Sequence, residues 1–229
     1  MFPILSGTIS AVLSLGTVET LLLQGICMLL SLMIPLSFVL VNKWNWNEIG
    51  FAGTDWIRCK KAVYFLPLTV ILIPVAVKGL YIKSAADLWG NLFLYFMVGF
   101  AEEVYFRGII PNELGKAFSR RSVIFLSAAF FGIGHIAAAF TADSGLEIGL
   151  TVLNAFIFGW LAIEMRFICN NIAPIILLHF LFDFETKIVV MSGRELLAAE
   201  CVRGTVMAAG TVWLAVILMK QNNRMEYGR

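Results

Sequence analysis

The sequence predicts an all-α, polytopic transmembrane helical bundle of about seven spans, with six to eight compatible with the pattern. Three observations lead there. Of the 229 residues, 60% are hydrophobic and 14% charged, whereas a soluble domain carries about 25% charged residues. Mean hydropathy is +0.87. Apolar runs of the length needed to cross hydrocarbon, about 20 residues for roughly 30 Å, recur along the whole chain.

The expected spans are 18–41, 62–79, 88–115, 122–141, 146–166, 172–192 and 202–219. The opening 1–16 is apolar but short, and would be an eighth span, a re-entrant piece or an interfacial segment. Pro35, Pro67, Pro74 and Pro174 are expected to kink spans or to mark their starts. Trp44, Trp46 and Trp56 flank the end of the first span, where amphipathic rings favour the headgroup zone. No repeat or linker breaks the chain, so one integral membrane domain, 1–229, is expected.

Basic residues set the orientation. Lys43, Arg58, Lys60, Lys61, Lys116, Arg120, Arg121, Arg166, Lys220, Arg224 and Arg229 fall on one side of the alternation. Only Lys78, Lys83, Lys187, Arg194 and Arg203 fall on the other. The bias puts the first set, and with it the C-terminus, in the cytoplasm, and the plasma membrane is the expected location. The first 41 residues contain no Lys or Arg, so no cleavable signal peptide is expected. A net charge of +2 gives no case for nucleic acid. Cys27, Cys59, Cys169 and Cys201 show neither a CxxC nor a Cys/His metal spacing, and read as small apolar fillers.

The polar residues inside the spans are few and of acid/base type. In Glu102-Glu103-Val104-Tyr105-Phe106-Arg107, Glu103 and Arg107 are four apart and share a helical face, while Glu102 points about 100° away. One carboxylate is thus paired and its neighbour left free, and a free carboxylate in a dry site suits general acid or base work. A wet boundary at these charges is the plain alternative. However, 88–101 covers only about 21 Å at 1.5 Å per residue, so the helix must continue through them to cross.

Phe131-Gly132-Ile133-Gly134-His135 places a histidine in mid-span, next to glycines that permit close approach of a helix or a substrate backbone. His179-Phe180-Leu181-Phe182-Asp183 puts His179 and Asp183 on one face. Each motif alone has a structural reading, either a packed histidine or an interhelical clamp. Such groups are costly in lipid unless they share a site, so convergence is the expectation. Asn154 and Gln24 read as helix–helix glue, Glu185 as locally paired, and Glu164 and Arg166 as closing the fifth span.

These three motifs, in this order, resemble the CPBP/Abi family of intramembrane endopeptidases, related to the type II CAAX prenyl proteases. The flanking Phe106-Arg107-Gly108, Phe158-Gly159-Trp160 and Ala173-Pro174 agree. The resemblance covers roughly 88–184, which would be the catalytic core. It implies hydrolysis of a peptide bond without a covalent intermediate. Glu102 would activate water with His135, His179 and Asp183 would hold the oxyanion, and Arg107 would hold Glu103, with Phe131 in support. Asp183 stands where the prenyl proteases usually carry Asn, and an ionised carboxylate cannot donate to an oxyanion. Asp183 would then be protonated or would orient His179.

No cofactor is expected. If a divalent metal such as zinc were bound, Glu102, His135, His179 and Asp183 would be its ligands, although the chain has no HExxH. The expected partners are the bilayer and a membrane-associated or lipid-modified peptide, in CAAX-type processing, peptide maturation or bacteriocin self-immunity. The rival readings are a proton-coupled transporter, which would show internal repeats absent here, and a non-catalytic peptide-binding membrane protein.

Overall fold

The computed structural model describes residues 2–53, 67–140 and 144–227, and among these the regular structure is helical apart from one isolated antiparallel bridge, Phe51–Asn171. The helices are α1 (Phe2–Val12), α2 (Thr17–Ser31), α3 (Met33–Val41), α4 (Pro67–Lys78) and α5 (Ala85–Glu103). A π segment (Val104–Ile109) leads into α6 (Ile110–Leu114). Then come α7 (Arg120–Gly134), a 3-10 segment (His135–Phe140), α8 (Gly145–Cys169), α9 (Ala173–Ile188) and α10 (Gly193–Tyr227). Among the described residues three stretches are long and apolar enough to cross a membrane by themselves: Thr17–Val41, Gly145–Cys169 and Gly193–Lys220. Cys59, Trp56, Arg58, Lys60, Lys61, the first residues of the expected second span, Thr141 and Arg229 lie outside the described residues.

Several expected boundaries shift. The opening segment forms α1, whose 11 residues reach only about 16 Å, too short to cross alone. The first span is interrupted at Leu32. Pro35 has no N–H, so the Ser31 carbonyl loses its helical donor, and the Tyr105 hydroxyl donates to it instead at 2.7 Å. The third span does continue through its charges, but by widening into the π register. There the Phe106 carbonyl would accept from residue 111, which is a proline; the Ser127 hydroxyl donates to it at 2.7 Å. These two carbonyls, orphaned by Pro35 and Pro111, are therefore met by hydroxyls from neighbouring segments, as a lipid environment favours.

The core centres on α8, which packs on α7, α9 and α10 through Ile124, Phe131, Phe158, Leu161, Met165, Ile175, Leu178, Met207 and Leu214. Small residues set the crossings. A Cβ on Gly159 would sit 3.1 Å from the Ala128 Cα, and one on Gly132 would sit 3.0 Å from the Phe156 Cβ. The α5–α9 crossing is just as close: a Cβ on Gly99 would lie 3.0 Å from the Phe180 backbone nitrogen. At the end of α8, Asn170 turns the chain in the left-handed conformation (φ 55°). The Ile172 N–H donates to the Gly50 carbonyl at 2.8 Å, so the loop after α3 docks against the start of α9.

A second buried ionic centre departs from the expectation. Arg203 is not a loop charge but is 1% exposed. Its Nη2 pairs with Glu185 and its Nη1 donates to Glu200 Oε1 at 2.8 Å. Its guanidinium carbon lies 5.0 Å from the Phe182 ring centroid. Asn154 Nδ2 donates to Glu200 Oε2 at 2.7 Å, which ties α8 to α10. Glu185 therefore pairs across helices and not locally. Helix α10 begins about two turns earlier than its apolar run, which carries Arg203 into the bundle.

Candidate active site

Helices α5 and α9 touch through their backbones at Gly99, and one turn further along α5 this brings Glu103 within hydrogen-bonding distance of His179 on α9. Glu103 Oε1 accepts from His179 Nδ1 at 2.7 Å and from Arg107 Nη1 at 2.9 Å. The Glu103 and Arg107 side chains are 0% exposed, and that of His179 only 4%. The guanidinium carbon of Arg107 lies 4.2 Å from the Phe131 ring centroid and 5.5 Å from that of Phe158. A desolvated cation–π contact of this kind is worth about 2 kcal/mol. Phe158 also lies 5.0 Å from the His179 ring, which gives the Phe158-Gly159-Trp160 stretch a place at the site that spacing alone did not supply.

The other ring nitrogen of His179 looks towards two further carboxylates. Nε2 is 3.4 Å from Asp183 Oδ2 and 3.8 Å from Glu102 Oε2. The Glu102 and Asp183 side chains are about a quarter exposed, 23% and 29%, so this edge of the cluster opens outward while the Glu103–Arg107 edge is sealed. Glu102 Oε2 is buried and makes no hydrogen bond. The pair Glu102–Glu103 is thus split: Glu103 is held through Oε1 by an arginine and a histidine, with its Oε2 buried and unpartnered, and Glu102 lies at the open edge. Spacing foresaw the Glu103–Arg107 contact. It did not foresee the Glu103–His179 bond, which joins residues 76 apart in sequence.

His135 differs from its expected mid-span position. Helix α7 ends at Gly134, and His135 opens the 3-10 segment. Its Nδ1–H donates to the Phe131 carbonyl at 2.9 Å. It joins the cluster through Phe131, whose ring lies 4.7 Å from the His135 ring and 5.7 Å from that of His179. Gly132 is filled by the helix crossing, whereas Gly134 is uncrowded, the nearest atom to an added Cβ being the tip of Phe106 at 3.8 Å. The structure therefore gathers Glu102, Glu103, Arg107, His179 and Asp183 in direct range, and His135 at the rim.

Among the described residues no three His, Cys, Asp or Glu side chains are arranged to hold a metal ion. The Nδ1 atoms of both histidines are committed to protein acceptors, Phe131 and Glu103.

Residues 84–184 match the family described as type II CAAX prenyl endopeptidase Rce1-like. No curated protein and no solved structure matches the chain. The matched stretch runs from the cap of α5 to the last turns of α9 and contains every group of the cluster, together with the π segment that carries Arg107. Over residues 84–184 this membrane protein is therefore similar to the type II CAAX prenyl endopeptidase Rce1-like family, a family of proteases.

Proposed function

We propose that this chain is an intramembrane endopeptidase that hydrolyses a peptide bond in a membrane-associated or lipid-modified peptide, with Glu102 as the general base. The observation that carries the reading is the division of labour within the acidic pair. Glu103 is sealed inside with Oε1 locked by Arg107 and His179, although its Oε2 is unpartnered, whereas Glu102 is about a quarter exposed and its unpartnered Oε2 lies 3.8 Å from His179 Nε2. That separation exceeds a hydrogen bond and is short enough for one water to touch both groups.

In this reading Glu102 takes a proton from the water, and the resulting hydroxide attacks the scissile carbonyl. His135, with Nδ1–H given to Phe131, has Nε2 as an acceptor and helps to orient the water. The oxyanion accepts from Nε2–H of His179, and Glu102 returns its proton to the leaving amine as the C–N bond breaks. Donation from both ring nitrogens makes His179 an imidazolium in this scheme; Glu103 holds it at Nδ1 and Asp183 lies 3.4 Å from Nε2, so Asp183 acts as a carboxylate orienting that ring and not as an oxyanion donor. No metal takes part in this scheme. The core is 88–184 within one membrane domain of seven crossings in the plasma membrane, its C-terminus in the cytoplasm on the side richer in Lys and Arg.

The test is a comparison of peptide termini in the membrane proteome of cells expressing wild type or Glu102→Ala at equal levels, with and without a chelator during assay. New termini present only with wild type support the reading and name the substrate. Identical termini in both samples, with the wild-type phenotype intact in Glu102→Ala, would overturn it. Loss of cleavage on chelation that added zinc restores would overturn the metal-free scheme alone.

A further inference from the structure

A cavity outside the Glu102–His179 cluster is bordered by Arg107. Its volume is about 520 Å³, and its charged lining is Arg107, Lys116, Arg120 and Arg166 against the single carboxylate of Glu48, with the Asn112 amide beside them. None of Glu102, His135, His179 or Asp183 borders it. We propose that this cavity is an anion site for a phosphate group, carried by an anionic lipid headgroup or present as free phosphate.

Two independent observations support it beyond the sum of charges. Arg107 is fully buried and borders the cavity, yet it spends only Nη1 on Glu103, and its Nε and Nη2 have no partner. Buried guanidinium donors are costly to leave unpaired, and a tetrahedral oxyanion fits their planar fork. Arg166 repeats the pattern from α8: Nη2 makes a long 3.4 Å contact with the Glu48 carbonyl while Nε is buried without a partner. Arg120 stands at the N-terminus of α7, where the helix dipole adds positive potential. Its guanidinium carbon is held 4.4 Å from the Phe167 ring centroid. Lys116, paired with Glu113 and lying over Trp44, closes the exposed rim.

The cavity is larger than a bare phosphate needs and is walled on one side by Pro111 and Phe118, which leaves room for the ester substituent of a headgroup. Lys116, Arg120 and Arg166 also belong to the basic set that sequence assigns to the cytoplasmic face, where the leaflet is anionic. The proposal does not depend on the protease reading. A site of this kind would be occupied whether or not Glu102 cleaves anything.

The experiment uses the full chain in nanodiscs and follows its thermal unfolding midpoint by tryptophan fluorescence. In phosphatidylcholine discs, sodium phosphate is titrated against sodium chloride at equal ionic strength. In a second arm, phosphatidylglycerol replaces part of the phosphatidylcholine. The expected result is a saturable rise of several degrees in at least one arm, absent from the double variant Arg120→Gln/Arg166→Gln. A rise only with phosphatidylglycerol identifies the headgroup as the source, and a rise with phosphate identifies the free ion. Arg107 is left intact because it also holds Glu103. If the double variant does not fold, Lys116→Gln at the exposed rim should move half-saturation to severalfold higher ligand. No rise over chloride and phosphatidylcholine in either arm, or equal responses of wild type and variants, would overturn the proposal.

Discussion

The two buried ionic centres of this bundle use similar residues to different ends. Around Arg203, one guanidinium is shared by Glu185 and Glu200 on two helices, and Asn154 fastens Glu200 from a third. Around Arg107, one guanidinium meets one carboxylate, Glu103, which a histidine also claims. The first arrangement holds each carboxylate against a cation or an amide. The second leaves Glu102 and Asp183 facing His179 Nε2 at an edge open to the outside. Buried charge is therefore not by itself a sign of chemistry in this protein. The sign is an acid/base group that the surrounding packing has left unclaimed.

That contrast breaks most sharply at Glu102. Glu102→Gln should remove general-base catalysis, lowering the cleavage rate by about 10²–10⁴-fold with the unfolding midpoint close to wild type, as read from termini counts and a melt on the same preparation. Arg203→Met should do the reverse. Removing the cation strands Glu185 and Glu200, at a cost of about 3–5 kcal/mol of stability, while cleavage per folded molecule stays near wild type. Tyr105→Phe probes the packing between these extremes: it unpairs the Ser31 carbonyl for about 1–3 kcal/mol, read as a lower midpoint. The mildest change is Asp183→Asn, because the amide oxygen can still accept from His179. Cleavage should remain within about tenfold of wild type, about 1.4 kcal/mol in barrier, and Asp183→Ala should lose more.

The site is more legible in the sequence than the architecture around it. Charges and histidines inside apolar runs stand out because lipid penalises them, so Glu102, Glu103, Arg107, His135, His179 and Asp183 are all visible as a set. The i, i+4 rule also finds Glu103–Arg107, since both partners lie on one helix. Contacts between helices carry no such spacing signal, and that is why Glu103–His179 and Glu185–Arg203 escape it. Arg203 is misplaced because hydropathy averages date the last helix from its apolar run, whereas the helix begins at Gly193. The π register at Val104–Ile109 is invisible for a related reason. Its cause lies partly in Pro111 and partly in a serine on α7, and only the folded chain brings the two together.

The count of spans shows the same limit. Among the described residues three stretches are long and apolar enough to cross alone; α7 and α9 are shorter. Helix α7 reaches further only by continuing as a 3-10 segment, and that continuation sets His135 at a helix end with Gly134 uncrowded beside it. Site and boundary are thus one feature, which a hydropathy window cannot separate.

The most direct measurement compares new peptide termini in membranes from cells carrying wild type, Glu102→Gln and Arg203→Met, each normalised to folded protein. With Glu102 as the base, Arg203→Met keeps the wild-type cleavage products and Glu102→Gln lacks them. Products that persist in Glu102→Gln and vanish in folded Arg203→Met would contradict that assignment.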